Sequence, residues 1–429
     1  MLIRFIKDTF KSSFAKSAAI IAGGTAIAQL LNAAFYPVIT RLYSPDEFGM
    51  FTVFLSTLGI LVIIGSLRYE NSIPIADDNV KAINSFALSF IIAIILSALI
   101  TLILLIFGER IFSYFDAEAL YDYKYYIPLG FFLAVLCNVL MQWAFRKKNF
   151  KGISQTKISR SSAMNVTQVG LGLINFGPLG LILGKILGET SGSATLGLSL
   201  LKKDNHLLSY ISFEKIKWSA RRYIKFPFFS APAQLFNKAG IELPVFFITS
   251  LYGSTVVGLY GLAHIIVNLP IVLIGVSVGD VFYAEAASTG RKDPSRLKDL
   301  SGKLLKRLAI IGLLPTIILL FFGPFLFGFV FGPDWHEAGI YARIISLLVF
   351  ARLVFTPISR IFFVFEKQKQ ALILNFIRVI LVLFTFAAAG FFDFSSYLAV
   401  GLYSFFMILT YLAAYFYAQK IINDQIKKL

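Results

Sequence analysis

The 429-residue chain is 57% hydrophobic and 15% charged, with 45 phenylalanines and a mean hydropathy of +0.77; soluble proteins are about half apolar and about a quarter charged, so the bilayer must act as solvent. One cysteine, Cys137, and three histidines, His206, His264 and His336, exclude a disulfide framework and an ordinary Cys/His zinc site. The net charge of +17 raises the question of nucleic acid, which its distribution along the chain answers below.

Residues 1–16 set Ile3, Ile6, Phe10 and Phe14 at helical spacing beside Arg4, Lys7 and Lys11. This predicts an interfacial helix on an anionic leaflet. Crossing a ~30 Å hydrocarbon core takes about 20 residues. Twelve stretches qualify: 17–38, 48–66, 84–107, 125–145, 159–178, 179–200, 226–250, 256–282, 308–331, 338–365, 370–390 and 395–418. Only Asn175-Phe176-Gly177-Pro178 marks the turn between the fifth and sixth. The longest connections, 201–225 and 286–307, are too short for a catalytic domain. The outer loop 108–124 carries Glu109, Asp116, Glu118 and Asp122 and reads as solvated, so no enzyme is expected.

Of the 40 Lys and Arg, 30 fall on the two termini and the even-numbered connections, and only Arg41, Arg110 and Lys124 on the odd-numbered ones. The positive-inside rule then puts both termini in the cytoplasm. The charge is an orientation signal and leaves no nucleic-acid footprint.

The halves echo each other. Ala28-Gln29-Leu30-Leu31-Asn32 followed by Leu42-Tyr43-Ser44-Pro45-Asp46-Glu47-Phe48-Gly49 parallels Ala233-Gln234-Leu235-Phe236-Asn237 followed by Leu251-Tyr252-Gly253-Ser254-Thr255-Val256-Val257-Gly258. Phe145 and Arg160 are echoed more weakly by Phe365 and Arg378. Both copies begin inside, which makes them parallel repeats. The expected fold is an all-α membrane protein with about twelve transmembrane helices in two six-helix lobes around a central cavity. The N-terminal lobe is 1–210, the interfacial helix plus six spans, and the C-terminal lobe is 211–429.

Charges inside spans are the functional candidates: Lys185, Lys238, Arg343, Arg352, Arg360 and Arg378 against Glu189 and Glu242. Each cation at a helix centre costs about 2.5–3.5 kcal/mol, and their excess over acids suits an anionic substrate. Lys185/Glu189 and Lys238/Glu242 are i,i+4 pairs that can neutralise locally. Arg352 lies about 13 Å below Arg343, near the midplane. Arg343 and Arg360 lie near the ends of their span, where snorkelling is equally open. Gln29, Asn32, Gln234 and Asn237 could line a polar cavity or bond helix to helix. Arg68, Glu70 and Asp280, at the inner ends, are candidates for a cytoplasmic gate or for surface ion pairs. Gly180-Leu181-Ile182-Leu183-Gly184-Lys185-Ile186 lacks the spacing and the Ser/Thr of a phosphate loop. No cofactor is therefore expected beyond H⁺ or Na⁺ as a coupling ion, with Glu189 or Glu242 as its site.

Thr40-Arg41-Leu42-Tyr43-Ser44-Pro45-Asp46-Glu47-Phe48-Gly49, Ser66-Leu67-Arg68-Tyr69-Glu70, Phe226-Pro227-Phe228 and Gly279-Asp280-Val281-Phe282-Tyr283 resemble the polysaccharide-biosynthesis flippases, the Wzx-type O-antigen transporters. The superfamily includes lipid II flippases and multidrug antiporters. The resemblance implies a multi-pass protein of the bacterial inner membrane that moves an undecaprenyl-diphosphate-linked oligosaccharide outward by alternating access, ion-gradient driven. It also implies membrane lipids and the polysaccharide polymerase machinery as partners. A multidrug or cation antiporter is the alternative, but one would want acids in the lumen, commonly in the first span, and 17–38 has none.

Overall fold

The computed structural model describes residues 13–114, 118–289, 293–365 and 367–427, so most of the expected interfacial helix lies outside the described residues. Six helices, α1 Ser13–Leu42, α2 Pro45–Ile64, α3 Asn79–Tyr114, α4 Tyr126–Arg146, α5 Phe150–Leu173 and α6 Pro178–Lys203, carry the first six crossings. The amphipathic α7, Phe213–Arg222, follows. Then come α8 Ala231–Val267, α9 Val276–Thr289, α10 Pro294–Phe331, α11 His336–Phe355, α12 Gln368–Phe391 and α13 Ser396–Ile426. The protein is an all-α, multi-pass membrane protein.

Among the described residues, nine stretches are long and apolar enough to cross a membrane. One of them, Phe226–Gly275, amounts to two crossings, because the backbone leaves the helix at Gly253 (φ 83°), in the left-handed region that favours glycine. α5 and α6 have the length, 24 and 26 residues, but not the apolarity, and the reason is the site they build. Between them Asn175 and Gly177 both take positive φ, 55° and 64°, and Pro178 opens α6 at its first turn. The Asn-Phe-Gly-Pro turn thus separates the two helices where the sequence placed it.

The outside of the molecule inverts the pattern of a soluble protein. On α3, Ile91, Ile94, Ile95, Leu99, Leu102, Leu105 and Ile106 form an exposed apolar stripe, while Asn84, Ser85 and Ser89 are buried. On α10, Ile310, Leu314, Ile317, Phe321 and Phe325 do the same. Apolar residues at helical spacing facing outward are what a lipid solvent selects.

The chain forms two compact units, residues up to Tyr43 with Val53–Lys238, and Ser44–Thr52 with Ala239–Leu429. The connection 201–225, which the sequence reading puts at the join of two lobes, packs with the first unit. Asn84 of α3 bonds the Tyr210 carbonyl (3.1 Å) and the Ser212 amide (3.0 Å), and Tyr69 Oη donates to the Ala220 carbonyl (3.0 Å).

Within the second unit, the motif Ser44–Gly49 is a helix start and a contact. The Ser44 amide donates to Glu47 Oε2 (2.8 Å) and the Glu47 amide to Ser44 Oγ (3.2 Å), a reciprocal capping box, while Asp46 accepts from Ser254 Oγ. A Cβ on Gly49 would collide with the Ser254 carbonyl, and one on Gly258 with the Pro45 carbonyl. Gly49 and Gly258 hold matching places in the two sequence repeats, as do Pro45 and Ser254. Each copy's glycine therefore seats the start of the other copy's helix.

Reporter fusions after residues 154, 212 and 295 are expected to report the cytoplasm, and fusions near 116 and 334 the opposite side. An external signal at 212 would contradict the order of crossings.

Candidate functional site

In the first unit, α1, α5 and α6 enclose a cavity of about 290 Å³. Its polar lining is Thr25, Gln29 and Asn32 from α1, Lys157, Arg160 and Ser161 from α5, and Lys185 and Glu189 from α6. On α5 these groups fall three and four residues apart, hence on one face. On α6, Gly184, Gly188 and Gly192 make a stripe of small residues. A Cβ at Gly184 would stand 2.9 Å from the Met164 carbonyl oxygen, and one at Gly188 2.9 Å from that of Arg160. Glycine is what lets the two backbones approach, and that approach brings Arg160 against Glu189.

Glu189 is the centre of the charge network, its side chain only 2% exposed. Its Oε1 accepts from Arg160 Nη2 and from Lys185 Nζ, the latter at 2.8 Å. Its Oε2 is buried and has no hydrogen-bond partner among the described residues. Arg160 Nη1 also reaches Cys137 Sγ at 3.7 Å, and Lys157 Nζ donates to Thr25 Oγ1 at 2.6 Å. Among the described residues three cations thus share the cavity with one carboxylate. Beside them, Asn32 Oδ1 accepts from Ser161 Oγ (2.6 Å) and Asn165 Nδ2 (2.7 Å), which ties α1 to α5. Among the described residues no cluster of His, Cys, Asp and Glu could hold a metal ion.

The structure brings together four of the residues singled out from sequence: Gln29, Asn32, Lys185 and Glu189. The others lie elsewhere. Arg352 Nη1 donates to Asn268 Oδ1 at 3.2 Å. Arg378 stacks 4.3 Å from the Tyr411 ring centroid and donates to Thr410 Oγ1 and Asn375 Oδ1, both at 3.3 Å. Arg343 is exposed, its Nη2 reaching the Phe321 carbonyl at 3.4 Å. Arg360 sits in a short turn, Ile358–Arg360, after α11 has ended. Lys238 and Glu242 are partly buried on α8, near the partly buried Asn237 and the exposed Gln234. Arg68 pairs with the buried Glu70 at 3.2 Å, and Glu70 also accepts from Ser66 Oγ; Asp280 belongs to α9.

Lys157 is not among the residues that the sequence singles out, and Arg160 counts there only as a repeat echo. The signal was present in the run from Ser154 to Gln168, which is too polar for a helix that merely crosses lipid. Arg378, the weak repeat echo of Arg160, stands on the corresponding helix, but Thr410 and Tyr411 meet it where Glu189 meets Arg160.

The family described as polysaccharide biosynthesis protein matches residues 38–339. The chain belongs to this family. Comparison with curated protein sequences gives no match. Among solved structures, an inward-facing multidrug resistance MATE family transporter of the MOP superfamily superposes with a TM-score of 0.74 at 17% identity, covering 96% of this chain and 99% of that one. The Vibrio cholerae MATE transporter VcmN, as a point mutant, gives 0.65 at 13% identity, covering 95% and 96%. A MOP superfamily transporter from Pyrococcus furiosus, described as having a binding pocket of reverse polarity that suggests a different function, gives 0.63 at 16% identity, covering 95% of each chain. At these identities the likeness establishes the fold, two lobes of six transmembrane helices.

Proposed function

We propose that this family member is an exporter of the bacterial inner membrane that moves an undecaprenyl-diphosphate-linked oligosaccharide from the inner to the outer leaflet by alternating access, driven by a proton or sodium gradient. The cationic cavity carries this reading. A diphosphate leaving water must have its desolvation offset, and guanidinium and ammonium groups do this through charge-assisted hydrogen bonds, bidentate in the case of arginine. Lys157, Arg160 and Lys185 supply that chemistry inside the membrane-spanning region. A volume of about 290 Å³ is at the small end of ligand sites. It suits a headgroup, with the sugars held elsewhere; Arg352 and Arg378 are candidates for further contacts.

A multidrug antiporter on the same fold would present an acid to a cationic drug. Among the described residues, Glu189 is the one acid lining this cavity, and two protein cations already hold it. The similar transporter from Pyrococcus furiosus is described as having a binding pocket of reverse polarity that suggests a different function, which supports reading pocket polarity as a guide to substrate on this fold.

Deleting the gene is expected to trap a lipid-linked repeat unit on the cytoplasmic face and to remove the surface polysaccharide, with susceptibility to cationic drugs unchanged. Intact polysaccharide together with increased drug susceptibility would favour the antiporter.

A further inference from the structure

The geometry points to Glu189 as a tethered stand-in for the anionic ligand: we infer that a diphosphate binds by displacing this carboxylate from Arg160 and Lys185, and that the displaced carboxylate takes up a proton. The inference rests on the flippase reading only for the choice of a diphosphate.

The two oxygens of the carboxylate are used unevenly. A carboxylate has about four acceptor positions, yet both cations converge on Oε1 while Oε2 is buried without a partner among the described residues. The pair of cations is held, but the anion holding them is poorly satisfied. A phosphoryl group offers three oxygens and a larger charge, and it can engage the Arg160 fork bidentately. Glu189 lines the cavity, so a ligand there reaches the same two cations from the open side.

The surroundings of the carboxylate decide what happens to it once displaced. Among the described residues the charged groups around it are Lys185 on its own helix and Arg160 and Lys157 on α5; α1 contributes Thr25, Gln29 and Asn32, none of which titrates near neutral pH, and α4 contributes the Cys137 thiol, which lies against Arg160. Lys157 is turned to Thr25. Once Arg160 and Lys185 bind the ligand, no free cation faces Glu189, and a buried unpaired carboxylate is costly enough to neutralise instead. The proton comes from solvent and is held on Oε2. Ligand and proton therefore bind together, and linkage requires the anion to bind more tightly as pH falls.

The test uses the full-length protein in lipid nanodiscs. At neutral pH, Glu189→Gln is expected to bind inorganic pyrophosphate about tenfold more tightly than the wild type, because glutamine keeps the shape but not the charge that competes for the cations. Binding of inorganic sulfate, which does not titrate near neutral pH, is measured calorimetrically in buffers of different ionisation enthalpy. The wild type is expected to take up about one proton per sulfate bound, and Glu189→Gln none. Equal pyrophosphate affinity in the two proteins, sulfate binding without proton uptake in the wild type, or no binding of either anion each overturns the inference. Should Glu189→Gln fail to fold, the wild-type proton count decides alone. Normal export after gene deletion would instead sink the flippase reading and leave the anion exchange standing.

Discussion

Replacing Gly258 with valine is expected to remove most of the folded protein from the membrane. The Pro45 carbonyl occupies the space a side chain at this position would need, and the Ser254 carbonyl does the same at Gly49. Backbone cannot swing aside as a flexible side chain can. The clash must be relieved by moving the start of α2 away from α8, which would pull apart the Asp46–Ser254 hydrogen bond. Overpacking in a close-packed region costs about 1–3 kcal/mol, and a backbone collision belongs at the top of that range or above it. Gly49→Val should behave alike, whereas Gly170→Ala, with no atom within 4 Å of the added Cβ, should be neutral. Membrane abundance and the thermal midpoint of the detergent-solubilised protein measure all three. A well-expressed Gly258→Val protein with an unchanged midpoint would refute the contact.

Arg160→Met should be the most damaging single change at the cavity. It leaves the 2%-exposed Glu189 with Lys185 as its remaining cation, and removing one partner of a buried pair costs about 3–5 kcal/mol. Export should be lost as well, through loss of the guanidinium fork. The two effects separate in the double variant Arg160→Met/Glu189→Met. Exchanging both members of a buried pair for apolar groups of similar volume is close to neutral, and Lys185, 23% exposed, can be solvated from the cavity. The double variant should therefore regain stability without regaining export. Recovery of surface polysaccharide in it would remove Arg160 from substrate binding and leave it a purely structural role.

Most of the crossings were legible in the sequence because lipid selects for one property that a single chain displays openly, the length of an apolar run, which α5 and α6 show least. The same holds for the turn at Asn175–Pro178 and for the repeat. Gly49 and Gly258 could be paired as equivalent letters, but their meeting face to face with Pro45 and Ser254 is a fact of packing, which no spacing along either segment encodes. The site divides in the same way. Lys185 and Glu189 are one turn apart on α6, and their pairing could be read directly. Arg160 is 29 residues from Glu189 along the chain and joins it only because the glycine stripe of α6 lets α5 come close. Local spacing determined which residues share a helix face; close approach of two polar helices decided which faces meet, and so turned a count of intramembrane charges into a cavity with one carboxylate among three cations.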